Sequence, residues 1–135
     1  MRIAIIGSRS FNDGGLMEEK CDKILSSVAP KDIHIFSGGA SGADSLADKY
    51  SQDRSFMFTR IPARWNDVEG KSESEIGKSG EKRYWKAAGA VRNSQLLENV
   101  EAVIAFWDGK STGTKDMIAK ATKKGVKVRV IKITA

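Results

Sequence analysis

Between Phe36 and Asp44 the chain reads Phe-Ser-Gly-Gly-Ala-Ser-Gly-Ala-Asp, where an apolar run from Ile33 breaks into glycines and resumes at helical spacing through Ala43, Leu46, Ala47 and Tyr50. A strand that turns through glycine into a helix can collect backbone N–H groups and the positive end of a helix dipole around one small volume, with no Cβ in the way. The chemistry on offer is phosphate binding, and the alternative is a tight turn that holds nothing. Gly7-Ser8-Arg9 and Asp108-Gly109-Lys110-Ser111-Thr112-Gly113-Thr114 are two further polar glycine loops, each directly after an apolar run.

Other chemistries are poorly supplied. Gly-Lys-Ser occurs at 70–72, 77–79 and 109–111, but the glycine that a Walker loop needs five residues earlier is replaced by Trp65, Ser72 and Ile104. Neither Gly7 nor Gly39 opens a Gly-x-Gly-x-x-Gly fingerprint. The single histidine, His34, falls in the middle of an apolar run and reads as a satisfied strand residue. With one Cys and one His no zinc set can be assembled, and a serine triad would have only His34 to draw on. No metal and no cofactor are expected.

The elements that must position the loops follow from periodicity. Arg2 to Ile6 is apolar almost throughout, as in a strand covered on both faces, and it is followed by a helix with Met17, Cys21, Ile24, Leu25 and Val28 on one side, closed by Pro30. Strands are predicted at Asp32–Phe36, about Phe56–Ile61, Ala102–Trp107 and Val126–Ile133, and helices from the second loop to about Asp53, from about Tyr84 to Glu98 and from the last loop to about Lys124. Five apolar strands alternating with helices make a Rossmann-like α/β three-layer sandwich with a mainly parallel five-stranded sheet, in which all the glycine loops open on the carboxyl edge. From Ala63 to Arg83 the periodicity vanishes, and the stretch reads as a long mobile loop, either a lid or disordered. Trp65 favours a lid, since an aromatic in a polar loop needs something to cover.

At 135 residues the chain is expected to be one domain over residues 1–135. No run approaches a membrane span and the N-terminus is a core strand without a signal pattern, so a cytoplasmic protein with no membrane partner is expected. Cys21, in register with the apolar face of its helix, reads as a buried structural thiol. The net charge of +6 is concentrated at the end, where Gly109 to Ala135 holds eight Lys or Arg against Asp116 alone. This suits a nucleic-acid backbone groove or an ordinary solvated helix face.

Arg2-Ile-Ala-Ile-Ile-Gly-Ser-Arg9, Ser37-Gly-Gly-Ala-Ser-Gly-Ala-Asp44, Ala88-Gly89 with Arg92-Asn93, and Ala105-Phe-Trp-Asp-Gly-Lys-Ser-Thr-Gly-Thr114 together resemble the YspA-type branch of the SLOG superfamily, Rossmann-like proteins that include DNA-processing protein A and the LOG phosphoribohydrolases. The resemblance implies a ligand site made of Gly7, Ser8 and Arg9; Gly38, Gly39, Gly42 and Asp44; Arg92 and Asn93; and Ser111, Gly113 and Thr114. Arg9 and Arg92 can fork onto phosphate oxygens, and Asp44 either binds ribose hydroxyls or complements the helix dipole. In the LOG pattern a Glu follows the last Gly-Thr at a position that holds Met117 here, so a hydrolase would have to use Asp116, about 100° away around the helix, or Asp44. The expectation is a binding or sensor protein for a nucleotide-derived small molecule such as an adenosine phosphate, ADP-ribose or an NAD-like compound, with Trp65 closing on the base. The alternatives are N-glycosidic hydrolysis of a nucleotide by Asp116 or Asp44, and single-stranded DNA binding. The resemblance also admits a homodimer.

Overall fold

The computed structural model describes residues 1–39 and 41–134; Ala40, within the second glycine loop, and Ala135 lie outside the described residues. In chain order the elements are β1 (Arg2–Gly7), α1 (Gly14–Ile24), β2 (His34–Ser37), α2 (Ala43–Asp53), β3 (Met57–Arg60), β4 (Ile76–Ser79), β5 (Lys82–Trp85), α3 (Ala88–Asn99), β6 (Ala102–Trp107), α4 (Thr112–Lys124) and β7 (Lys127–Lys132), with short 3-10 turns at Pro30–Asp32 and Glu73–Glu75. Five strands form one parallel sheet in the order β3-β2-β1-β6-β7. The chain runs outward from β1 to β3 and then returns to build β6 and β7 on the other side. The crevice at the carboxyl ends of β1 and β6 is therefore the place where strand order reverses, the usual ligand position in open α/β sheets.

The alternation of side chains along β1 divides the core. Ile3 and Ile5 join Met17 and Cys21 of α1 and Ala47 and Tyr50 of α2, whereas Ala4 and Ile6 join Leu96 and Leu97 of α3 and Met117 and Ala121 of α4. Two helices on each face of the sheet make the three-layer, Rossmann-like sandwich that the apolar strands imply. Burial pushes the Cys21 thiol up to about 12, with Asp22 adding to the effect, so this sulfur is packing material. His34 is held by Thr59 Oγ1, 2.7 Å from its Nε2, and stacks on Phe36. No helix among the described residues is long and apolar enough to cross a membrane.

One expectation needs correcting. The stretch from 63 to 83 is not without secondary structure: it holds a 3-10 turn, β4 and the start of β5, and Tyr84 and Trp85 lie in β5 instead of opening α3. β4 and β5 pair antiparallel through a two-residue turn at Gly80-Glu81, where Gly80 takes a left-handed φ of 63°. Tyr84 covers Gly77, at which any side chain would collide with the tyrosine ring. The hairpin is stapled to the preceding segment by Trp85 N–H donating to the Trp65 carbonyl at 2.8 Å and Lys86 N–H to the Glu75 carbonyl at 2.9 Å.

Candidate ligand site

The first glycine loop is built as much for closure as for contact. Gly7 is where β1 passes β6, and a Cβ there would strike the Phe106 carbonyl. Ser8 is 1% exposed. Its N–H donates to the Phe106 carbonyl at 3.0 Å, its carbonyl accepts from Phe11 and Ala43, and its Oγ accepts the Asp108 N–H at 3.3 Å. One residue thus ties together the loops after β1 and β6 and the start of α2, and the next residue, Arg9, projects exposed at the rim.

In the second loop, Gly39 and Gly42 have φ of 75° and 74°, values that favour glycine. Gly42 packs against the Ser8 and Arg9 carbonyls, and Gly39 lies beneath the Arg60 side chain. Asp44 is 5% exposed, with Oδ1 3.0 Å from the Ser37 hydroxyl. Arg92, half-buried on α3, reaches over Gly38. Burial disfavours the charged form of its guanidinium and lowers its pKa, Asp44 opposes that effect in part, and Arg9 adds a like-charge penalty. An arginine nevertheless stays charged throughout the accessible pH range.

The third loop is held by Asp108, whose Oδ1 accepts the N–H groups of Lys110 and Ser111, both at 2.8 Å. These two bonds keep its carboxyl below the ordinary carboxylate range. Ser111 occupies the cap position of α4, yet its hydroxyl makes no cap bond; it lies 3.1 Å from Thr114 Oγ1. Its carbonyl is held by the Trp107 indole N–H at 3.0 Å. The first amides of α4 have no partner inside the helix, and Thr112 and Gly113 are exposed. Asn93 braces α3 against this turn: its amide donates to the Gly113 carbonyl at 3.2 Å and to Asp116 Oδ2 at 3.0 Å, while its own oxygen accepts from Arg92 Nε. Asp116 also pairs with Lys120 at 3.1 Å.

These parts enclose a cleft of about 870 Å³ at the carboxyl edge, lined by Gly7, Ser8, Arg9, Asp44, Trp65, Arg92, Asn93, Ser111, Gly113, Thr114 and Asp116 among others. Gly38 and Gly39 line a smaller adjoining cavity of about 290 Å³, which shares Arg9, Trp65 and Arg92 with the first. Gly42 lines neither. Trp65 presents a ring face to Arg9, 5.9 Å from guanidinium carbon to ring centroid, meets Tyr84 edge-on and leans on Gly89 at the start of α3. The sequence reading missed Lys86, Lys110 and Asp108, which also line the cleft. Lys110 sits inside a quoted glycine loop and its charge was the available signal, whereas Lys86 is delivered by the hairpin. Among the described residues no group of three or more His, Cys, Asp or Glu is placed to hold a metal ion.

Fold and site together define a Rossmann-like α/β domain with a cation-rimmed cleft at the topological switch point. Residues 1–67 match the model of the YAcAr family, described as the YspA, cpYpsA-related SLOG family, and over these residues the resemblance to the YspA-type branch is shown. A curated relative, the Gene 61 protein of Mycobacterium phage D29, is 28% identical over 130 residues, covering 94% of this chain and 93% of that protein. DNA processing protein A of Streptococcus pneumoniae shares the fold at a TM-score of 0.70 with 19% identity over 98% of this chain. The Helicobacter pylori protein of the same name, reported for its single-stranded DNA binding mode, does so at 0.62 with 22% identity over 96%. This chain spans 50% of the former and 64% of the latter.

Proposed function

We propose that the chain binds a nucleotide or nucleotide-derived phosphate compound in the cleft at the carboxyl edge of the sheet. The observation that carries this reading is the convergence of Arg9, Arg92, Lys86 and Lys110 with the uncapped first turn of α4 on one concave volume of about 870 Å³. That size suits a nucleotide or a dinucleotide-like compound, and the donors are of the kind that hold phosphate. Trp65, with Arg9 over its ring, walls the site and sets the position of that arginine.

Binding is favoured over N-glycosidic hydrolysis because both candidate carboxylates are engaged. Asp116 accepts from Asn93 and pairs with Lys120, and Asp44 is buried against Ser37 in the field of Arg92.

The test is a thermal-shift panel of AMP, ADP, ATP, NAD, ADP-ribose and guanine counterparts, with products checked by mass spectrometry. A compound at about 100 times its Kd stabilises the fold by about 2.7 kcal/mol, a rise of several degrees in Tm. Arg92→Ala should reduce affinity on the order of 10- to 100-fold while the far-UV spectrum is unchanged. Freed base in the products would move the reading to the hydrolase, and no shift with any nucleotide would end it.

A second reading, single-stranded DNA binding, draws on the fold shared with the Helicobacter pylori protein and on exposed Lys127, Arg129 and Lys132 along the edge strand β7. No aromatic residue interleaves with that row, as stacking platforms would. Steep loss of oligonucleotide affinity with rising salt, together with a flat nucleotide panel, would make it the better reading.

A further inference from the structure

The second glycine loop contains glycines required for different reasons. Gly39 and Gly42 need their left-handed backbone, but Gly38 is absent from the positive-φ residues, so its backbone suits any amino acid. The space is what excludes a side chain. A Cβ at Gly38 would land on the Arg92 guanidinium, at Nη1 and Cζ, with Asp44 Oδ2 at 3.0 Å.

The remainder of the Arg92 seat is built with equal care. Nε donates to Asn93 Oδ1 at 3.2 Å, and Asn93 is itself fixed by the Gly113 carbonyl and Asp116. The buried Asp44 carboxylate, 3.0 Å from the Ser37 hydroxyl, counters part of the cost of burying the guanidinium. So placed, Arg92 borders both the main cleft and the smaller cavity.

We propose that Gly38 is a positioning residue for Arg92: its missing side chain is the recess in which the guanidinium sits, and it sets where the anion of a phosphate ligand is held. This rests on the reading of the cleft as a phosphate site. It differs from the usual role of such a glycine, which is to let phosphate approach the backbone. The atom struck is the tip of a flexible side chain, so alanine at 38 displaces Arg92 and leaves the backbone in place. Gly7 is the contrasting case, since its Cβ would meet the Phe106 carbonyl, which cannot swing aside.

The experiment compares wild type, Gly38→Ala, Arg92→Ala and the double variant by calorimetric titration with inorganic pyrophosphate and with ADP-ribose at low ionic strength. Alongside it, the Arg92 Nε–H resonance is followed in ¹⁵N-labelled protein and identified by its loss in Arg92→Ala. Gly38→Ala is expected to fold, to lose affinity by the same 10- to 100-fold order as Arg92→Ala, and to shift the Nε–H resonance. The double variant should bind no more weakly than Arg92→Ala alone, because a glycine that acts only through Arg92 has nothing left to act on. Wild-type affinity in Gly38→Ala, a double variant that loses the sum of the two effects, or an unmoved resonance would each overturn the assignment. If wild type binds neither probe, the phosphate reading falls, and the resonance still decides whether Gly38 seats Arg92.

Discussion

Helices α1 and α4 each follow a central strand and bury a methionine and a small residue in the core, but their first turns are built in opposite ways. At α1, Asp13 Oδ1 accepts the Leu16 N–H at 3.0 Å, and Asp13 stands apart from the cleft. At α4, Ser111 is of a type that caps equally well, yet its hydroxyl meets Thr114 Oγ1 and leaves the first turn without a side-chain cap, at the cleft that Thr112, Gly113 and Thr114 line. Where a helix start is only structural, the chain supplies its own acceptor. At the cleft Ser111 supplies none, and under the proposed function the amides and the positive dipole end would take an acceptor that arrives from outside.

The strongest test asks whether the helices really are equivalent below that first turn. Met17 and Met117 are each at most 1% exposed, one in each layer, so Met17→Ala and Met117→Ala should each cost about 3 kcal/mol and lower Tm by roughly 10 °C. A large inequality would mean that α4 is held by something other than packing. The next effect belongs to the closed helix. Because burial raises Cys21 to about 12, the folded state keeps the thiol proton after the unfolded chain has lost it, and the stability this provides is lost as pH rises above about 9. The stability difference between wild type and Cys21→Ala should shrink by about 1.4 kcal/mol per pH unit from about pH 9 to 11 in denaturant titrations; a constant difference would show that solvent reaches the sulfur. The smallest effects address the caps themselves. Asp13→Ala should lose about 1 kcal/mol with pyrophosphate affinity unchanged. Ser111→Asp should gain about 0.5 kcal/mol from capping and the dipole while weakening pyrophosphate at least about 10-fold. Retained affinity in Ser111→Asp would place the anion elsewhere.

These contrasts also mark how far the sequence could be read. β6 falls at Ala102–Trp107 as its unbroken apolar run predicts, and α2 and α4 end at Asp53 and Lys124 as their periodicity does. The β4–β5 hairpin was invisible because its strands are Gly, Ser, Lys and Arg with few apolar residues, and because Tyr84 and Trp85 sit at a spacing that a following helix can claim. In the site, glycine and arginine types pointed to the cleft, but the partners did not show. That Asn93 would grip Asp116, 23 residues away, has no local signature. Nor does the recess at Gly38, whose glycine looks the same in sequence as the left-handed Gly39 beside it.

Ser8 has a consequence for the order in which the molecule comes into being. Its partners, the Phe106 carbonyl and the Asp108 amide, lie about a hundred residues downstream, and β1 is the middle strand of the sheet. During synthesis the first glycine loop emerges early, with only the β2 and β3 side of the sheet available to it, and it must wait for β6 before its backbone is satisfied. Such long-range closure is the slow part of folding. A nascent chain therefore has no cleft until β6 and the start of α4 have left the ribosome, so a ligand of the proposed kind would find no site in the early stages and would act only on a domain that is nearly finished.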